Sequence, residues 1–374
     1  MKKHPGCILL VGSAQTCPDV EYGSGFRAAD PVVFLHRGRS RYLVVPELEF
    51  GRALRTGRGL QVLTPERLSL RGRRRKRVGD WAAAVVRKAG VRQVTVPPEF
   101  PHGVARRLER AGVRVRVARA EIYPERAVKT SVECRKIRES QQAAVLAMRA
   151  ALAALSAAGT DRNGCLCARG RTLTSEDIRG LITRVLLDHG CLCRETIVAG
   201  GADGADPHER GSGPLRAGEP IVLDIFPEHL EHGYWGDLTR TVVRGTASPA
   251  LRKIYLAVRA AQSAALAAIR PGVACATVHD RAVRAFAQRG YGKEITAGRP
   301  AGYIHSTGHG VGLAVHEAPS LSPGNPRRLR AGNVVTVEPG LYYPDVGGVR
   351  IEDTVLVTRT GWRYLVPCEK RFEV

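Results

Sequence analysis

The sequence predicts a two-domain α+β protein, on three observations. At 374 residues the chain is long enough for two domains. In the first third, short apolar strands alternate with short helices, which is typical of a small α/β domain. In the remainder, amphipathic helices come in two pairs, and each pair precedes strands that carry single carboxylates or histidines. We therefore expect a smaller domain over residues 1–127 and a larger one over residues 128–374.

The expected elements of the smaller domain follow from apolar runs and from the glycines that end them. Helices that end at Gly90 and Gly112 are typical, because glycine is favoured just past a helix C-terminus. A turn is expected at residues 22–26, and a hairpin around Arg37-Gly38-Arg39. The expected strands are 7–12, 32–35, 41–45, 60–63, 91–96 and 113–117, and the expected helices are 47–54, 81–89 and 104–111. This part of the sequence contains no nucleophile motif, phosphate loop or ligand cluster.

Four helices are expected in the larger domain, and three of them have clear start signals. Thr130 with Glu133, and Thr174 with Asp177, form capping boxes in which a hydroxyl and a carboxylate satisfy backbone N–H groups. Ser248-Pro249 is a cap followed by a proline in the first turn. A fourth helix is expected at residues 277–289. The two helix pairs indicate an internal pseudo-repeat.

Composition excludes some classes of protein. No apolar run reaches the roughly 18–20 residues that a membrane span needs. The apolar run at residues 7–11 is short and follows Pro5-Gly6, so we expect a buried strand there rather than a secretory signal. The nine cysteines include two CLC pairs, Cys165/Cys167 and Cys191/Cys193. Cys191 and Cys193 are expected to be small buried side chains, and a zinc site or a disulfide framework is not favoured. A reduced, cytoplasmic protein is expected.

The net charge of +23 is large. Its densest contribution is the run Arg71 to Arg77, RGRRRKR, which could contact nucleic acid or another anionic surface. No aromatic residue interleaves the run and no nucleic-acid motif accompanies it, so a solvated loop is favoured.

Four carboxylates stand within or at the ends of apolar strands: Asp224, Asp237, Glu338 and Glu352. The strands that carry Asp224 and Asp237 are expected to pair as a hairpin. Residues 349–357 are expected to form a single strand, with Arg350 and Glu352 on one face. A buried lone carboxylate is costly, and several together raise one another's pKa. Two divalent cations would remove both problems. The alternative is that each carboxylate has a buried ion pair, with arginines such as Arg240 or Arg350 as partners.

A stretch of fifteen residues, Tyr303 to Glu317, contains three histidines and three glycines. So much glycine disfavours a helix, and we expect a strand, a tight turn and a second strand. Imidazole is a common metal ligand and proton carrier. One imidazole beside four carboxylates makes a mainly oxygen shell, which favours Mn and leaves Co, Fe or Zn open. Such a pair of metals can activate a bridging water.

The motifs resemble those of the pita-bread metallopeptidases, which include Xaa-Pro dipeptidase (prolidase), aminopeptidase P, methionine aminopeptidase and creatinase. The resemblance covers roughly residues 195–370, with the motifs in family order, and the segment from Gly23 to Pro31 loosely resembles the N-terminal domain of prolidases and creatinases. The matching motifs are Leu223-Asp-Ile-Phe, Gly236-Asp-Leu-Thr-Arg-Thr, Gly308-His-Gly-Val-Gly-Leu, His316-Glu317, Thr336-Val-Glu-Pro-Gly-Leu-Tyr and Gly348-Val-Arg-Ile-Glu-Asp.

The resemblance implies a role for each matching residue. The metal ligands would be Asp224, Asp237, His309, Glu338 and Glu352. His316 would stabilise the tetrahedral intermediate, and Glu338 would also carry a proton from water to the leaving amine. His208 would lie across the substrate cleft, His305 on its proline side, and Arg350 would bind a substrate carboxylate. A hydrogen-bonded structural histidine remains the alternative for His305 and His208.

The implied function is hydrolysis of the Xaa-Pro bond of short proline-containing peptides by a metal-bridging hydroxide, with two divalent metal ions per subunit. Methionine aminopeptidases lack the N-terminal domain, and creatinase does not need the full metal set. Dipeptidase and aminopeptidase P both remain open, and a homodimer is expected. The loop between the two aspartates is slightly longer than usual; its His229 and His232 could be extra ligands, although surface histidines are favoured. A catalytically silent pita-bread module that binds nucleic acid or protein is the alternative function.

Overall fold

The computed structural model describes residues 6–56, 59–296 and 298–374, except for the side chains of Arg75 and Lys76. Two compact units make up the chain, Met1–Arg126 and Ala127–Val374. Among the described residues, no helix is long and apolar enough to cross a membrane.

The first unit is a six-stranded sheet flanked by helices, with strand order β4-β3-β2-β1-β5-β6. Its elements are β1 Cys7–Gly12, α1 Pro18–Ser24, β2 Val32–Arg37, β3 Ser40–Val44, α2 Glu47–Thr56, β4 Gln61–Leu63, α3 Val78–Lys88, β5 Gln93–Val96, α4 His102–Arg110 and β6 Arg114–Val117. The run at residues 7–11 is a strand as predicted, and every residue of β1 is buried.

The turn expected at residues 22–26 was wrong, because Tyr22 lies inside α1. Pro18 opens this helix, acidic Asp19 and Glu21 lie in its first turn, and Gly25 closes it with a left-handed φ of 72°. Proline and acidic residues favour a helix N-terminus, so the signal for this helix was present in the sequence.

The basic run is a turn of 3₁₀ helix, Gly72–Lys76, rather than an irregular loop. Arg71, Arg73, Arg74 and Arg77 are exposed, in keeping with a solvated run. The side chains of Arg75 and Lys76, which also belong to this run, are outside the described part of the structure.

The second unit contains four long helices and several small sheets. Its elements are α5 Ser131–Ala157, β7 Gly159–Thr160, β8 Leu166–Ala168, β9 Arg171–Thr172, α6 Ser175–Asp188, β10 Cys191–Leu192, β11 Ile197–Gly200, β12 Pro220–Ile225, β13 Glu228–His229, β14 Leu238–Val243, α7 Pro249–Ala268, α8 Cys275–Ala287, β15 Lys293–Thr296, β16 Arg299–Gly302, β17 Gly308–Gly310, β18 Glu317–Leu321, β19 Val334–Val337, β20 Gly340–Tyr343, β21 Gly347–Arg350, β22 Asp353–Val357 and β23 Trp362–Tyr364. Both predicted capping boxes are present, at Thr130 and Thr174.

Each helix pair covers a sheet of its own. The apolar faces of α5 and α6 pack on the three-stranded sheet β11-β12-β14. Those of α7 and α8 pack on the five-stranded sheet β18-β17-β19-β22-β23 and on neighbouring strands. Burial of these apolar faces is the main stabilising contribution. It leaves the strand ends that carry the carboxylates between two rigid layers.

The single strand expected over residues 349–357 was wrong. β21 pairs with β20 in one sheet and β22 pairs with β19 in another, and Ile351 and Glu352 connect the two. The chain passes from sheet to sheet at this point, so the alternation of faces expected for one strand does not apply. Glu352 therefore occupies the junction between the two sheets.

Candidate active site

The five expected metal ligands lie in strands of the second unit or directly beside them. Asp224 is the penultimate residue of β12, and Asp237 directly precedes β14. His309 is in the middle of β17, and Glu338 directly follows β19. Glu352 directly precedes β22. The ligand atoms of Asp237, His309 and Glu352 all lie within 4.8 Å of one another.

Asp224 reaches the site through the predicted hairpin. β12 and β14 are antiparallel, with Asp224 opposite Thr239. One carboxylate oxygen, Oδ2, accepts a hydrogen bond of 2.7 Å from Arg350 Nη2. The other, Oδ1, is buried and has no hydrogen-bond partner among the described residues. The ion pair with Arg350 therefore satisfies only one of the two oxygens of the Asp224 carboxylate.

A buried glutamine of α5 holds the backbone of Asp237. Gln141 Nε2 donates to the Asp237 carbonyl at 2.9 Å, and the Asp237 N–H donates to Gln141 Oε1 at 2.8 Å. This close approach requires glycine at position 236, where a Cβ would meet the Gln141 nitrogen at 2.7 Å. The Asp237 side chain is left to face the other carboxylates and is 4% exposed.

His309 presents its Nε2 to the carboxylates. Its Nδ1 lies 3.2 Å from the Gly310 carbonyl, which fixes the ring with Nδ1–H as donor. Nε2 lies 3.1 Å from Glu338 Oε1 and 3.7 Å from Asp237 Oδ2. A histidine whose other N–H donates to a carbonyl is the usual arrangement of a metal ligand.

Glu338 is oriented by Thr336, two residues before it. The Thr336 hydroxyl donates to Glu338 Oε1 at 3.1 Å and accepts from the His309 N–H at 3.0 Å. The Glu338 N–H donates to the Thr307 carbonyl at 2.8 Å. One threonine therefore ties together β17 and β19, the two strands that position His309 and Glu338.

Glu352 is fixed from the opposite sheet. Its N–H donates to the Thr239 carbonyl at 3.0 Å, and the Thr239 hydroxyl donates to its Oε2 at 2.7 Å. Thr239 in turn accepts from Arg350 Nε at 3.3 Å. Like Asp224 Oδ1, Glu352 Oε1 is buried without a partner in the described part of the chain. Two unpartnered buried carboxylate oxygens in one cluster suit divalent cations, which would take those positions.

The pKa shifts within the cluster also suit a site for divalent cations. Burial, followed by the charges of Glu352 and Asp224, raises the pKa of Asp237 well above its usual range. Burial and the neighbouring Glu338 and Asp224 likewise raise the pKa of Glu352. Without a cation these carboxylates cannot all ionise cheaply.

The His309–Glu338 pair behaves differently from the other carboxylates. Burial would raise the pKa of Glu338, but the hydrogen bond and charge of His309 outweigh it and hold that pKa at about 2. Burial would lower the pKa of His309, but Glu338 raises it to about 9. The metal-free pair is therefore an ion pair near neutral pH.

The expected substrate-binding residues, His305 and Arg350, meet at Tyr342. Arg350 Nη1 donates to the Tyr342 hydroxyl at 2.7 Å, and that hydroxyl lies 2.9 Å from His305 Nε2. His305 Nδ1 lies 2.7 Å from the Ser306 carbonyl. Both ring nitrogens of His305 are thus hydrogen-bonded, as in the structural alternative. Burial lowers the pKa of His305, so the ring is neutral.

His316 and His208 are the exposed members of the expected set. The His316 ring stands edge-on to that of His309, with centroids 4.3 Å apart, and the side chain is exposed. No described residue hydrogen-bonds to the His316 ring. His208 is exposed, and its charge contributes, after burial, to lowering the pKa of His305 and of His316.

The two histidines of the long loop stand apart from the five expected ligands. His229 and His232 stack at 3.8 Å between ring centroids, and His232 Nε2 lies 3.2 Å from Glu139 Oε2. A metal ion must lie near the plane of each ring that binds it, and two parallel planes do not share such a point. Ligand atoms of Glu139, His229 and His232 lie within 4.8 Å of one another, but the stacked rings are not arranged to bind one ion together.

Sequence reasoning missed the residues that orient the ligands: Gln141, Thr239, Thr336, Tyr342 and the Lys129–Glu317 ion pair. The Thr239 and Thr336 positions were detectable, because each lies two residues from a site carboxylate along the chain. Gln141 was not detectable, because it comes from a helix 96 residues before Asp237. Lys129 precedes α5, and its buried ammonium pairs with Glu317 beside His316.

Comparison with known proteins assigns the family. Residues 135–359 match the model of metallopeptidase family M24. The chain belongs to metallopeptidase family M24. The Xaa-Pro dipeptidase of Pyrococcus horikoshii is 28% identical over 358 residues, which cover 94% of this chain and 91% of the relative. That of Pyrococcus furiosus is 39% identical over 177 residues, 47% of this chain and 48% of the relative.

Among solved structures, the prolidase from Pyrococcus horikoshii OT3 superposes with a TM-score of 0.80 at 27% identity, covering 98% of this chain and 94% of that one. The fold is thus confirmed as a pita-bread domain with an α/β N-terminal domain. The protein is a metallopeptidase of the Xaa-Pro dipeptidase and aminopeptidase P branch, and this family uses divalent metal ions. The alternative of a silent binding module is not favoured.

Proposed function

We propose that this metallopeptidase hydrolyses the Xaa-Pro bond of short proline-containing peptides, with two divalent metal ions held by Asp224, Asp237, His309, Glu338 and Glu352. One observation carries the proposal: five potential ligands converge at the junction of two sheets, and two of the carboxylates keep a buried oxygen without a partner. The similarity to Xaa-Pro dipeptidases supports the substrate class.

When bound, such metals supply a water molecule of lowered pKa, which is the nucleophile of peptide hydrolysis. The protein fixes their ligands from two layers, so that little rearrangement is needed on binding. Asp237 and Glu352 are the most buried members, at 4% and 2% exposure, and they would be the ligands shared between the two ions.

His316 is assigned to the oxyanion. Its ring lies beside His309, and its nitrogens are not engaged by any residue of the described chain, so they are available to a substrate carbonyl. A positioned donor stabilises the charge that develops on that oxygen in the transition state. Glu338 is assigned to carry a proton to the leaving nitrogen, because its carboxylate lies next to His309 at the same face.

The substrate-binding assignments rest on Arg350, His305 and His208. The planar guanidinium of Arg350 suits a carboxylate, as its 2.7 Å contact to Asp224 illustrates. A substrate carboxyl group would share the Arg350 guanidinium with Asp224 and Tyr342. His305 and Tyr342 form a neutral wall for a proline ring, and His208 contacts the substrate from the open side.

The metal, the location, the oligomeric state and the substrate preference can be proposed in turn. Four carboxylates and one imidazole make an oxygen-rich shell, which favours manganese. All nine cysteines are free, which supports a reduced, cytoplasmic location. A homodimer is proposed by analogy with the branch. Dipeptidase activity is favoured over aminopeptidase P activity, because of the similarity to the dipeptidases.

The test is a substrate panel with the manganese-loaded protein. Xaa-Pro dipeptides, Xaa-Pro-Yaa tripeptides and Xaa-Ala dipeptides are compared by release of the first residue. We expect turnover of the proline substrates and little of the alanine ones, and loss of turnover in Asp224→Asn. No turnover of any proline peptide by metal-loaded protein, or equal activity of Asp224→Asn, would contradict the proposal.

A further inference from the structure

A basic groove lies in the second unit, apart from the five carboxylate and histidine ligands. It is a cavity of about 840 Å³, within the size range of small-molecule sites. Four arginines line it: Arg135, Arg138, Arg359 and Arg363. Its apolar lining includes Leu356 and Val357 of β22. No aspartate or glutamate is among the lining residues of this described part of the chain.

The four arginines of the basic groove have no acidic partner. Within residues 6–56, 59–296 and 298–374, no carboxylate forms an ion pair with any of them, although the unit contains many paired arginines such as Arg149 and Arg171. The groove's fifth cation, Lys129, is already neutralised by Glu317. Like charges around one cavity repel one another, so the groove as it stands favours an anion.

The walls of the basic groove are formed largely by α5, β22 and β23. Arg135 and Arg138 lie in the second turn of α5, three residues apart, which puts them on the same helix face. A capping box at Thr130 fixes the start of that helix, and the positive end of the helix dipole adds to the field. Arg359 lies in the turn between β22 and β23, and Arg363 lies in β23. The turn is closed by the hydrogen bond from the Thr358 N–H to the Gly361 carbonyl at 2.8 Å.

We propose that the basic groove binds a small organic bisphosphate. A phosphate monoester carries a charge of about −1.5 to −2 at neutral pH, so two of them balance four guanidiniums. Each planar guanidinium can bind phosphate oxygens through two parallel hydrogen bonds. The apolar lining of Leu356 and Val357 suits the carbon frame between the phosphates. Binding of the bisphosphate in the basic groove is independent of the peptidase reaction.

The test is a titration of the metal-loaded protein with fructose 1,6-bisphosphate as probe, at constant ionic strength in potassium chloride. Two double variants are compared, Arg135→Glu with Arg359→Glu in the groove, and Arg259→Glu with Arg281→Glu on exposed positions of α7 and α8. Both change the net charge equally, so any general charge effect, and any binding at the metal site, is common to the two.

Wild type and the α7–α8 variant are expected to bind alike. The groove variant is expected to bind about a hundredfold more weakly, because each lost charge-assisted contact contributes roughly tenfold. The half-buried Cys134 lines the groove and provides a local readout. Bound probe is expected to slow its alkylation by a maleimide, measured by peptide mass spectrometry.

Four results would overturn the proposal. The first is that the wild type shows no binding of fructose 1,6-bisphosphate beyond the effect of the same ionic strength of potassium chloride. The second is that the two double variants bind the bisphosphate with equal affinity. The third is salt-dependent binding of random duplex DNA without binding of the bisphosphate, which would make the groove a nucleic-acid contact. Unchanged alkylation of Cys134 at saturating probe would likewise place the ligand elsewhere.

Discussion

Replacing Asp237 by asparagine tests whether Asp237 is a metal ligand or a structural carboxylate, because the two roles predict opposite changes in the stability of the metal-free protein. The ligand atoms of Asp237 and Glu352 lie within 4.8 Å of each other. Two ionised carboxylates at about that separation would repel by roughly 3.5 kcal/mol at an effective dielectric constant near 20, and the metal-free site relieves this repulsion by keeping protons. Asparagine is neutral without a proton and keeps the shape, so it removes this cost. The metal-free variant should therefore be no less stable than the metal-free wild type, and up to about 3 kcal/mol more stable.

Metal should reverse the order of stability. A ligand at about a thousandfold excess over its Kd stabilises the folded state by about 4 kcal/mol. For a domain of this size that corresponds to a rise in Tm of about 8–16 °C. Wild type should show this rise on addition of manganese, and Asp237→Asn should show little of it. Thermal unfolding followed by circular dichroism, with and without metal, measures both effects.

Asp353→Asn is the matched control. Asp353 is as buried as Glu352, but it pairs with Arg240 at 2.7 Å and with Lys370 at 2.8 Å. Breaking this buried pair should cost about 3–5 kcal/mol in both the metal-free and the metal-loaded protein. If Asp237→Asn behaved like Asp353→Asn, losing stability without metal while keeping the metal-induced rise, the reasoning would be refuted.

Three further predictions concern protons, positioning and substrate binding. First, because the pKa values of Asp237 and Glu352 are raised and that of His309 is about 9, the metal-free site holds protons at pH 7 that metal must displace. Calorimetry in buffers of different ionisation enthalpy should show proton release, falling as pH rises above 9, and its absence at pH 7 would contradict this. For the same reason the metal-free protein should lose stability as pH rises through these raised pKa values. Second, His279→Phe removes the imidazole that lies 3.0 Å from the Thr307 hydroxyl; we expect a loss of about 1–3 kcal/mol in urea unfolding and a lower kcat, since Thr307 holds Glu338. If His279→Phe kept the wild-type stability and kcat, the contact between His279 and Thr307 would not position Glu338. Third, Arg350→Lys should raise KM for Xaa-Pro dipeptides more than for Xaa-Pro amides, because lysine lacks the planar fork that suits a carboxylate; equal effects on both would exclude Arg350 as the carboxylate contact.

Much of the candidate site was predictable from local sequence. Asp224 and Glu338 each interrupt or end an apolar strand, and a carboxylate in such a run requires a special partner. The glycines around His309 predicted a strand and turn, and β17 and β18 have that form. At Gly310 a side chain would overlap the Ala318 carbonyl of the neighbouring strand, so this glycine serves close packing of strands.

The remainder depends on contacts between distant segments. Glu352 was expected on one continuous strand, but the chain changes sheets there, and no local pattern distinguishes a straight strand from two short ones. Gln141 reaches Asp237 from another layer, and the Lys129–Glu317 pair joins segments 188 residues apart. The groove arginines come from two such segments, so their convergence was visible only in the fold.

The most direct test of the metal site is the number of metal ions per chain. After loading with manganese and removal of free metal, elemental analysis of the wild-type protein should find two ions per chain, and Asp237→Asn should hold at most one. Wild-type protein that holds no metal after loading, or an Asp237→Asn variant that holds as much metal as wild type, would contradict the assignment of these five residues as a dinuclear centre.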